Sequence, residues 1–213
     1  MKYKISNIAS IHVIENHTNS TFKHPKLYQQ KRMITGKEET IVPIITSEYP
    51  NEIDFAIWGL LPDKFDQDWN VFQEHIDTLT VKIDNIRNDF MQKELNIRPC
   101  LVIVTGFYTS FLENGKIQEY YITKENNTPF YLAGCYNQLN DGFLTFSLLL
   151  KKQKKELKKF QNLDKYIPIV MDETMKQDWL SNKISITDLK KVSLLQTKLK
   201  ILKNTHGIQL NEC

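Results

Sequence analysis

Five stretches of β-branched and aromatic residues fill the middle of this chain, and they constrain its fold more than any other feature of the sequence. Such residues are enriched in β-strands because their stiff, bulky side chains pack well on a pleated surface. The predicted strands are residues 53–61, 99–111, 118–124, 129–136 and 143–150. With helical patterns between and after them, they predict a single α+β domain built around mainly antiparallel strands.

Two turn signals connect these predicted strands. Asn114-Gly115 lies between two strand-like runs. It is a strong hairpin signal, because both residues tolerate the positive φ of a type I′ turn. Asp141-Gly142 marks a second turn. Gly106 and Gly134 lie inside strand patterns, where a missing side chain is typical of a bulge or of a close backbone approach.

Three segments have helical patterns. Residues 66–78 have an acidic start and carry Trp69, Phe72 and Ile76 at spacings of three and four. Residues 151–160 are rich in lysine and predict a second helix. Thr187 is a candidate cap for a third helix that extends to about residue 202, although that segment is also compatible with a strand.

Length and composition predict one domain that spans residues 1–213. A chain of 213 residues that is 41% apolar can bury one sizeable core. The N-terminus lacks the apolar run of a signal peptide, and no stretch approaches the ~18 apolar residues of a membrane span. Three cysteines without paired spacing predict a reducing, cytoplasmic location. The sequence contains no motif for zinc or for a cofactor.

The net charge of +3 is distributed unevenly along the chain. Residues 151–165 contain seven lysines against two acids, and residues 189–203 contain five lysines and no acid. Each segment therefore carries +5, and the rest of the chain carries −7. Segments this basic attract a phosphate backbone, whereas the simpler interpretation of a lysine run is a solvated helix face.

Short motifs in a fixed order connect these elements to a known family. The blocks are Trp58 to Pro62, Asn85-Ile86-Arg87, Cys100 to Tyr108, Pro129 to Gly134, Ile167 to Met171, and Trp179-Leu180. In this order they resemble the SRAP family, the SOS response-associated peptidases that recognise abasic sites in single-stranded DNA. The matches fall within residues 1–180, so residues 181–213 are predicted to be a C-terminal extension of the same domain. The resemblance implies a β-rich, barrel-like core with peripheral helices and a groove for single-stranded DNA.

The resemblance also implies where the reactive groups should lie. In the family, a cysteine directly after the initiator Met captures the abasic aldehyde through its thiol and its freed α-amine. Lys2 occupies that position here, and its bulk is expected to prevent removal of Met1. The glutamate that follows Gly-Phe-Tyr is replaced by Thr109, and a histidine before Arg-Met-Pro corresponds to Asp164. The resemblance thus predicts an active site at Lys2, Asn85, Thr109 and Asp164, in which most reactive groups are replaced.

Other matched positions retain groups suited to DNA. Asn85 and Arg87 match an Asn-Ala-Arg motif, which the resemblance places near the reacting sugar and on phosphate. Lys4 keeps the charge of an N-terminal arginine but gives up its bidentate geometry. Without the resemblance, Asn85 and Arg87 would be interpreted as a turn residue and as one half of a surface ion pair with Asp84 or Asp89.

Aromatic residues divide into two groups by their neighbours. Trp69 and Tyr108 are the candidates for stacking on DNA bases. Trp58 and Phe107 alternate with apolar neighbours and are predicted to be core residues. The cysteines within strand patterns are predicted to be small buried hydrophobes rather than nucleophiles, and these are Cys100 and Cys135.

Together these patterns predict a monomeric protein of the SOS response that binds single-stranded DNA weakly at abasic sites. It would need no metal, cofactor or membrane, and it would lack the family's covalent cross-linking and autopeptidase chemistry. Two alternatives stay open. In the first, the amine of Lys2 or of Met1 forms a Schiff base with the abasic aldehyde and acts as a lyase. In the second, the fold is a non-catalytic scaffold for protein interactions.

Overall fold

The computed structural model describes residues 4–84, 98–153, 160–186, 188–191 and 199–203. Within these residues, two sheets form the body of the protein and three α-helices lie at its periphery. The helices are α1 (Ile11–Thr18), α2 (Trp69–His75) and α3 (Glu173–Leu180). The strands are β1 (Lys4–Asn7), β2 (Thr21–Phe22), β3 (Lys31–Thr35), β4 (Ile41–Thr46), β5 (Glu52–Trp58), β6 (Thr80–Lys82), β7 (Arg98–Val104), β8 (Gly106–Glu113), β9 (Lys116–Thr123), β10 (Phe130–Gln138), β11 (Leu144–Lys152), β12 (Tyr166–Pro168), β13 (Val170–Met171) and β14 (Lys200–Lys203).

Five strands of the larger sheet close into a ring. β7 pairs antiparallel with β4 on one side and with β10 on the other, and β10 pairs antiparallel with β11. β5 then pairs antiparallel with β4 and parallel with β11, where Ala56 lies opposite Leu144 and Trp58 lies opposite Phe146. This ring confirms the predicted barrel-like core of mainly antiparallel strands.

The smaller sheet has the order β14-β9-β8-β1-β3. The sequence predicts one strand over residues 99–111, but the chain passes from the larger sheet to the smaller one at Thr105, between β7 and β8. The backbone amide of Thr105 donates to the Ser6 carbonyl at 2.7 Å, and the Thr105 carbonyl accepts from the Thr123 hydroxyl at 2.6 Å. These bonds to β1 and β9 satisfy the peptide groups of Thr105 at the junction between the sheets.

Residues of the ring strands alternate between two hydrophobic clusters, because successive side chains of a strand point to opposite faces. The cluster that includes Trp58 and Phe107 contains residues of both sheets, and the other includes residues of α1 and α3. Trp58 and Phe107 are buried, which confirms their predicted place in the core. Each buried indole of Trp58 and Trp179 donates to a carbonyl, that of Leu79 at 2.9 Å and that of Cys100 at 3.0 Å.

The predicted turns are present. Asn114 and Gly115 have φ values of 49° and 75° and connect β8 to β9, as a two-residue hairpin with positive φ at both positions requires. The second turn lies between β10 and β11, and there Gly142 has a φ of 92°. The turn chemistry therefore fixes both hairpins locally.

Both strand glycines lie where a side chain would collide with a neighbour. A Cβ on Gly106 would lie 2.3 Å from the ring of Tyr121. A Cβ on Gly134 would lie 2.9 Å from the Cys100 sulfur and 3.0 Å from the Ser147 carbonyl oxygen. These contacts confirm the predicted close approaches, since real Cβ atoms rarely come so near to another atom.

The helical prediction for residues 66–78 is confirmed in a shorter form as α2. Asp68 caps it, because its carboxylate accepts from the backbone amide of Val71 at 3.1 Å. No helix in the described part of the chain is long and apolar enough to cross a bilayer.

The other two segments predicted to be helical contain strand residues. Lys151 and Lys152 complete β11, so the predicted helix over residues 151–160 is wrong at its start, and residues 154–159 lie outside the described residues. In the last segment, residues 188–191 form a 3-10 turn and residues 200–203 form β14. The strand alternative is therefore confirmed for residues 200–203, while Thr187 lies outside the described residues.

Candidate functional site

Thr109 and Asp164 line the same small cavity, which has a volume of about 50 Å³. Thr109 belongs to β8 of the smaller sheet, and Asp164 lies just before β12 of the larger one. The structure therefore brings these two predicted site residues together. The other two, Lys2 and Asn85, lie outside the described residues. The remaining lining residues are Tyr108, Ser110, Leu150, Gln161, Leu163, Tyr166 and Pro168.

The hydroxyl of Thr109 is engaged in a structural hydrogen bond. It donates to the Phe160 carbonyl at 3.2 Å, and the side chain is only 3% exposed. The rings of Phe160 and Tyr120 also pack edge to face, with 5.3 Å between their centres. Thr109 thus fastens the chain at Phe160 to β8, and a hydroxyl in this role is no general acid or base near neutral pH.

Asp164 lies in a turn that two glutamines hold in place. Its carboxylate accepts from the backbone amide of Tyr166 at 3.0 Å. The Gln161 amide donates to the Asp164 and Tyr166 carbonyls at 3.2 and 2.6 Å, and the Gln153 amide donates to the Asp164 carbonyl at 2.8 Å. These glutamines fix one wall of the cavity. The sequence patterns did not identify them, because their bonds reach across a loop that has no recognisable motif.

Two hydroxyls near the cavity have no hydrogen-bond partner among the described residues. They belong to Ser110, which lines the cavity, and to Tyr121, which packs against Tyr108 at 5.0 Å. Buried hydroxyls are nearly always satisfied by protein, water or ligand, so these two oxygen atoms are exceptions among the described residues. Ser110 lies two residues after Tyr108 on β8, so the two side chains share a face of the strand. This spacing is the sequence signal that could have identified Ser110 as a site residue.

Tyr108 is buried, which corrects the prediction that it stacks on a DNA base. Its hydroxyl donates to the Arg32 carbonyl at 2.8 Å, and the Tyr121 ring packs against it. Burial raises the pKa of the Tyr108 phenol, so the group stays protonated as a donor. Tyr108 therefore ties β3 to the wall of the cavity.

Trp69 is also a core residue, which corrects its predicted stacking role. It is the first residue of α2, is 5% exposed and belongs to the same cluster as Trp58. Its apolar spacing with Phe72 indicated this position, because a helix buries one such stripe against its sheet. A ring buried in this way has no free face for a base.

Lys4 is paired with an acid. Its ammonium lies 2.5 Å from the Glu119 carboxylate, and both side chains are largely buried. This pair joins β1 to β9 across β8. The neighbouring carboxylate neutralises the charge of Lys4, so the predicted phosphate contact would require the pair to open.

Both lysine-rich segments reach the residue that precedes Asn85. The Asp84 carboxylate lies 3.0 Å from the ammonium of Lys190 and 3.8 Å from that of Lys152. The Lys82 ammonium lies 5.0 Å from the centre of the Tyr166 ring, at the cavity wall. Arg87 lies outside the described residues. The two basic segments therefore converge beside the candidate site, which their separation in the sequence did not indicate.

The two described cysteines do not line the cavity. Cys100 and Cys135 are fully buried, and burial raises the pKa of the Cys100 thiol well above its usual value and that of Cys135 to about 12. Neither forms a thiolate near neutral pH, which agrees with their prediction as small hydrophobes. Among the described residues, no group of three or more potential metal ligands comes together.

Comparison with known proteins gives one family. The family model for "SOS response associated peptidase (SRAP)" matches residues 4–205. No match was found among curated proteins.

Solved structures share the fold at low sequence identity. A protein from Bacteroides thetaiotaomicron has a TM-score of 0.79 and 18% identity, covering 94% of this chain and 91% of that one. A protein from Bordetella bronchiseptica has a TM-score of 0.76 and 12% identity, with coverage of 95% and 99%. A phage-related protein from the same organism has a TM-score of 0.62 and 14% identity, with coverage of 95% and 94%.

Proposed function

Because this chain belongs to the SOS response-associated peptidase family, we propose that it binds single-stranded DNA at abasic sites without forming a covalent cross-link. The binding is weak and depends on phosphate contacts. It places the protein in the response to DNA damage, as a binding protein rather than an autopeptidase.

The cavity beside Thr109 is the observation that carries this proposal. The position that follows Gly-Phe-Tyr is occupied by a threonine whose hydroxyl already bonds to the Phe160 carbonyl. Among the described lining residues, Asp164 supplies the only carboxyl group, and no thiol lines the cavity. The described lining residues offer hydrogen-bonding groups to a sugar or phosphate but neither a thiol nor an amine that could bond to it covalently.

The converging lysines support the DNA part of the proposal. The side chains of Lys152 and Lys190 remain 68% and 46% exposed although both lie near Asp84. One carboxylate cannot neutralise two ammonium groups, so the three described side chains of Asp84, Lys152 and Lys190 together keep a positive charge. Such a surface attracts the phosphate backbone regardless of base sequence.

Binding to DNA is tested by fluorescence anisotropy with labelled single-stranded oligonucleotides at several salt concentrations. We expect weak binding whose log–log salt slope changes by roughly 0.7 for each phosphate contact. Arg87→Ala and the pair Lys152→Ala and Lys190→Ala should weaken binding equally for all sequences. Lys116→Ala, in the exposed β8–β9 hairpin, is the matched control and should have no effect. Absence of binding at low salt would refute the DNA proposal and favour the scaffold alternative.

Absence of cross-linking is tested with an oligonucleotide that contains one abasic site. We expect no heat-stable adduct, because an amine adduct stops at an imine that hydrolyses. Borohydride reduces such an imine and would reveal the lyase alternative. Trapping that disappears in Lys2→Ala would assign the amine to Lys2, and trapping that disappears only when the N-terminal amine is blocked would assign it to Met1. A stable adduct without reductant would contradict the proposal.

A further inference from the structure

A pocket of about 380 Å³ lies between one face of α3, the end of α1 and the loop after β4. We call it the α3 pocket. Its volume is within the roughly 300–1,000 Å³ that is typical of small-molecule sites. Spacings of three and four residues place its helical lining on one stripe of α3, which consists of Glu173, Lys176, Gln177, Leu180 and Ser181. The opposite wall consists of Thr18, Asn19, Ser47, Pro50 and Asn51.

Most of this lining is polar but uncharged. Primary amides, which both donate and accept hydrogen bonds, come from Asn19, Asn51 and Gln177. Pro50 and Leu180 add a small apolar surface. Among the described lining residues, Glu173 and Lys176 are the only charged ones, so the wall of the α3 pocket has no net charge.

The ammonium of Lys176 has no carboxylate partner. It donates to the Thr18 carbonyl at 2.6 Å and to the Tyr131 hydroxyl at 3.3 Å, and it lies 5.2 Å from the centre of the Tyr131 ring. Burial lowers the pKa of this ammonium, while the charge of Glu173 raises it. An ammonium has three N–H donors, so these two bonds leave one donor for a ligand.

The carboxylate of Glu173 also lacks a cationic partner. Glutamate and lysine three residues apart on a helix are neighbours that commonly pair, but within the described residues no salt bridge joins Glu173 to Lys176. The Glu173 carboxylate lies 3.4 Å from Nε2 of His17. Burial lowers the pKa of His17, so this ring is uncharged near neutral pH. The α3 pocket therefore presents a positive and a negative group that do not neutralise each other.

Charges just outside the lining do not favour either sign. Lys124 and Asp172 are close to each other, because the Asp172 charge acts on the pKa of Lys124, although burial is the larger influence and lowers it. The acids of the loop after β4 have partners of their own, since Glu48 pairs with Arg98 at 3.2 Å and Glu52 pairs with Lys23 at 3.3 Å. The ligand is therefore selected by the two charged groups of the lining.

We propose that the α3 pocket binds a free α-amino acid. At neutral pH such a molecule carries a carboxylate and an ammonium on one carbon atom. Its carboxylate binds the Lys176 ammonium, its ammonium binds the Glu173 carboxylate, and its side chain lies against Pro50 and Leu180. Glu173 repels an anion that has no amino group, and Lys176 repels an amine that has no carboxylate. The α3 pocket shares no lining residue with the cavity at Thr109, and the proposal does not depend on DNA binding.

Binding is measured by isothermal titration calorimetry of the full-length chain with each standard amino acid. The amino acid that binds most tightly is then compared with two analogues, its amide and the acid that lacks the amino group. Each analogue loses one charged contact and should bind roughly tenfold more weakly. If no amino acid binds, or if either analogue binds as tightly as its parent, the proposal is overturned.

Variants assign the two contacts. Glu173→Gln and Lys176→Met should each weaken binding of the amino acid roughly tenfold. Glu173→Gln should leave the affinity for the acid without an amino group unchanged or higher, which a merely destabilised helix would not do. The matched controls are Asp178→Asn and Lys183→Met, whose side chains do not line the α3 pocket, and they should change no affinity. Circular dichroism checks the fold, and wild-type affinity in Glu173→Gln would contradict the proposal.

Discussion

The strand ring and the cavity beside Thr109 are built from the same motif blocks, but they differ in what those blocks retain. In the ring, Trp58 is fully buried, and Gly134 lies where a side chain would collide with its neighbours. In the cavity, Thr109 and Asp164 stand where the family resemblance implies a glutamate and a histidine. The difference teaches that packing positions can persist when the reactive groups beside them change, because the two sets of residues satisfy separate constraints.

The largest expected effect in this comparison comes from the ring. Trp58→Ala removes a fully buried indole and its bond to the Leu79 carbonyl, and we expect the free energy of unfolding to fall by about 4 kcal/mol. Urea denaturation measures the loss. Trp58→Phe keeps most of the volume and should cost clearly less. Equal losses in both variants would show that the hydrogen bond, and not the packing, holds this part of the ring.

A smaller effect is expected from overfilling the ring at Gly134. Gly134→Ala places a methyl group against Cys100 and the Ser147 carbonyl, and it should lower the free energy of unfolding by about 2 kcal/mol. Adding Cys100→Ala removes one of the two clashes, so the double variant should lose less than the sum of the single variants. Additive losses would show that the backbone of β11 is the obstacle.

The cavity should respond more weakly than the ring. Thr109→Val removes the bond to the Phe160 carbonyl at nearly constant volume, and we expect a loss of about 1 kcal/mol by urea denaturation. Ser110→Ala is the matched control on the same strand, because its hydroxyl has no partner among the described residues to lose. If Thr109→Val destabilised the protein as much as Trp58→Ala, the proposed division between the two regions would fail.

The smallest effect is a pH dependence at His17, near the larger sheet. Burial lowers the pKa of His17, and Lys124 and Lys176 lower it further, whereas Glu173 at 3.4 Å raises it. The unfolded chain therefore takes up the proton at a higher pH than the folded protein. Stability should fall as the pH drops below about 6.5, the usual pKa of histidine.

The control for this pH dependence is a second histidine. His17→Gln should flatten the decline in stability with falling pH, while His24→Gln at an exposed position should leave it unchanged. The measurement is the denaturation midpoint between pH 5 and pH 8. An unchanged slope in His17→Gln would show that other groups cause the decline.

Much of the strand content could be predicted because its signals are local. The Asn114-Gly115 turn and the β-branched runs around it determine a hairpin without help from the rest of the chain. The division of residues 99–111 into two strands could not be predicted, because it depends on bonds from Thr105 to β1 and β9. Lys151 and Lys152 lie in a strand because β11 pairs with β12 there, although their composition resembles a helix.

The candidate site was predictable only in part for the same reason. Thr109 and Asp164 followed from the motif order, and the structure places both at one cavity. The glutamine contacts and the pairing of Lys4 with Glu119 depend on residues far apart in the chain. The same holds for the Ser110 hydroxyl, which has no partner among the described residues. The burial of Trp69 was within reach, since its helical spacing already indicated a core position.

The parallel pairing of β5 with β11 has a consequence for how the chain becomes folded. Ala56 meets Leu144 only after two other ring strands, β7 and β10, have been made. Bringing the ends of so long a segment together costs chain entropy before the stabilising contacts between β5 and β11 form. The pairing of β5 with β11 should therefore be a late and slow step of folding. A nascent chain that ends before β11 leaves the edge of β5 open from Ala56 to Trp58, beyond the two residues that pair with β2. During synthesis, that edge is where the protein is most exposed to pairing with a wrong strand.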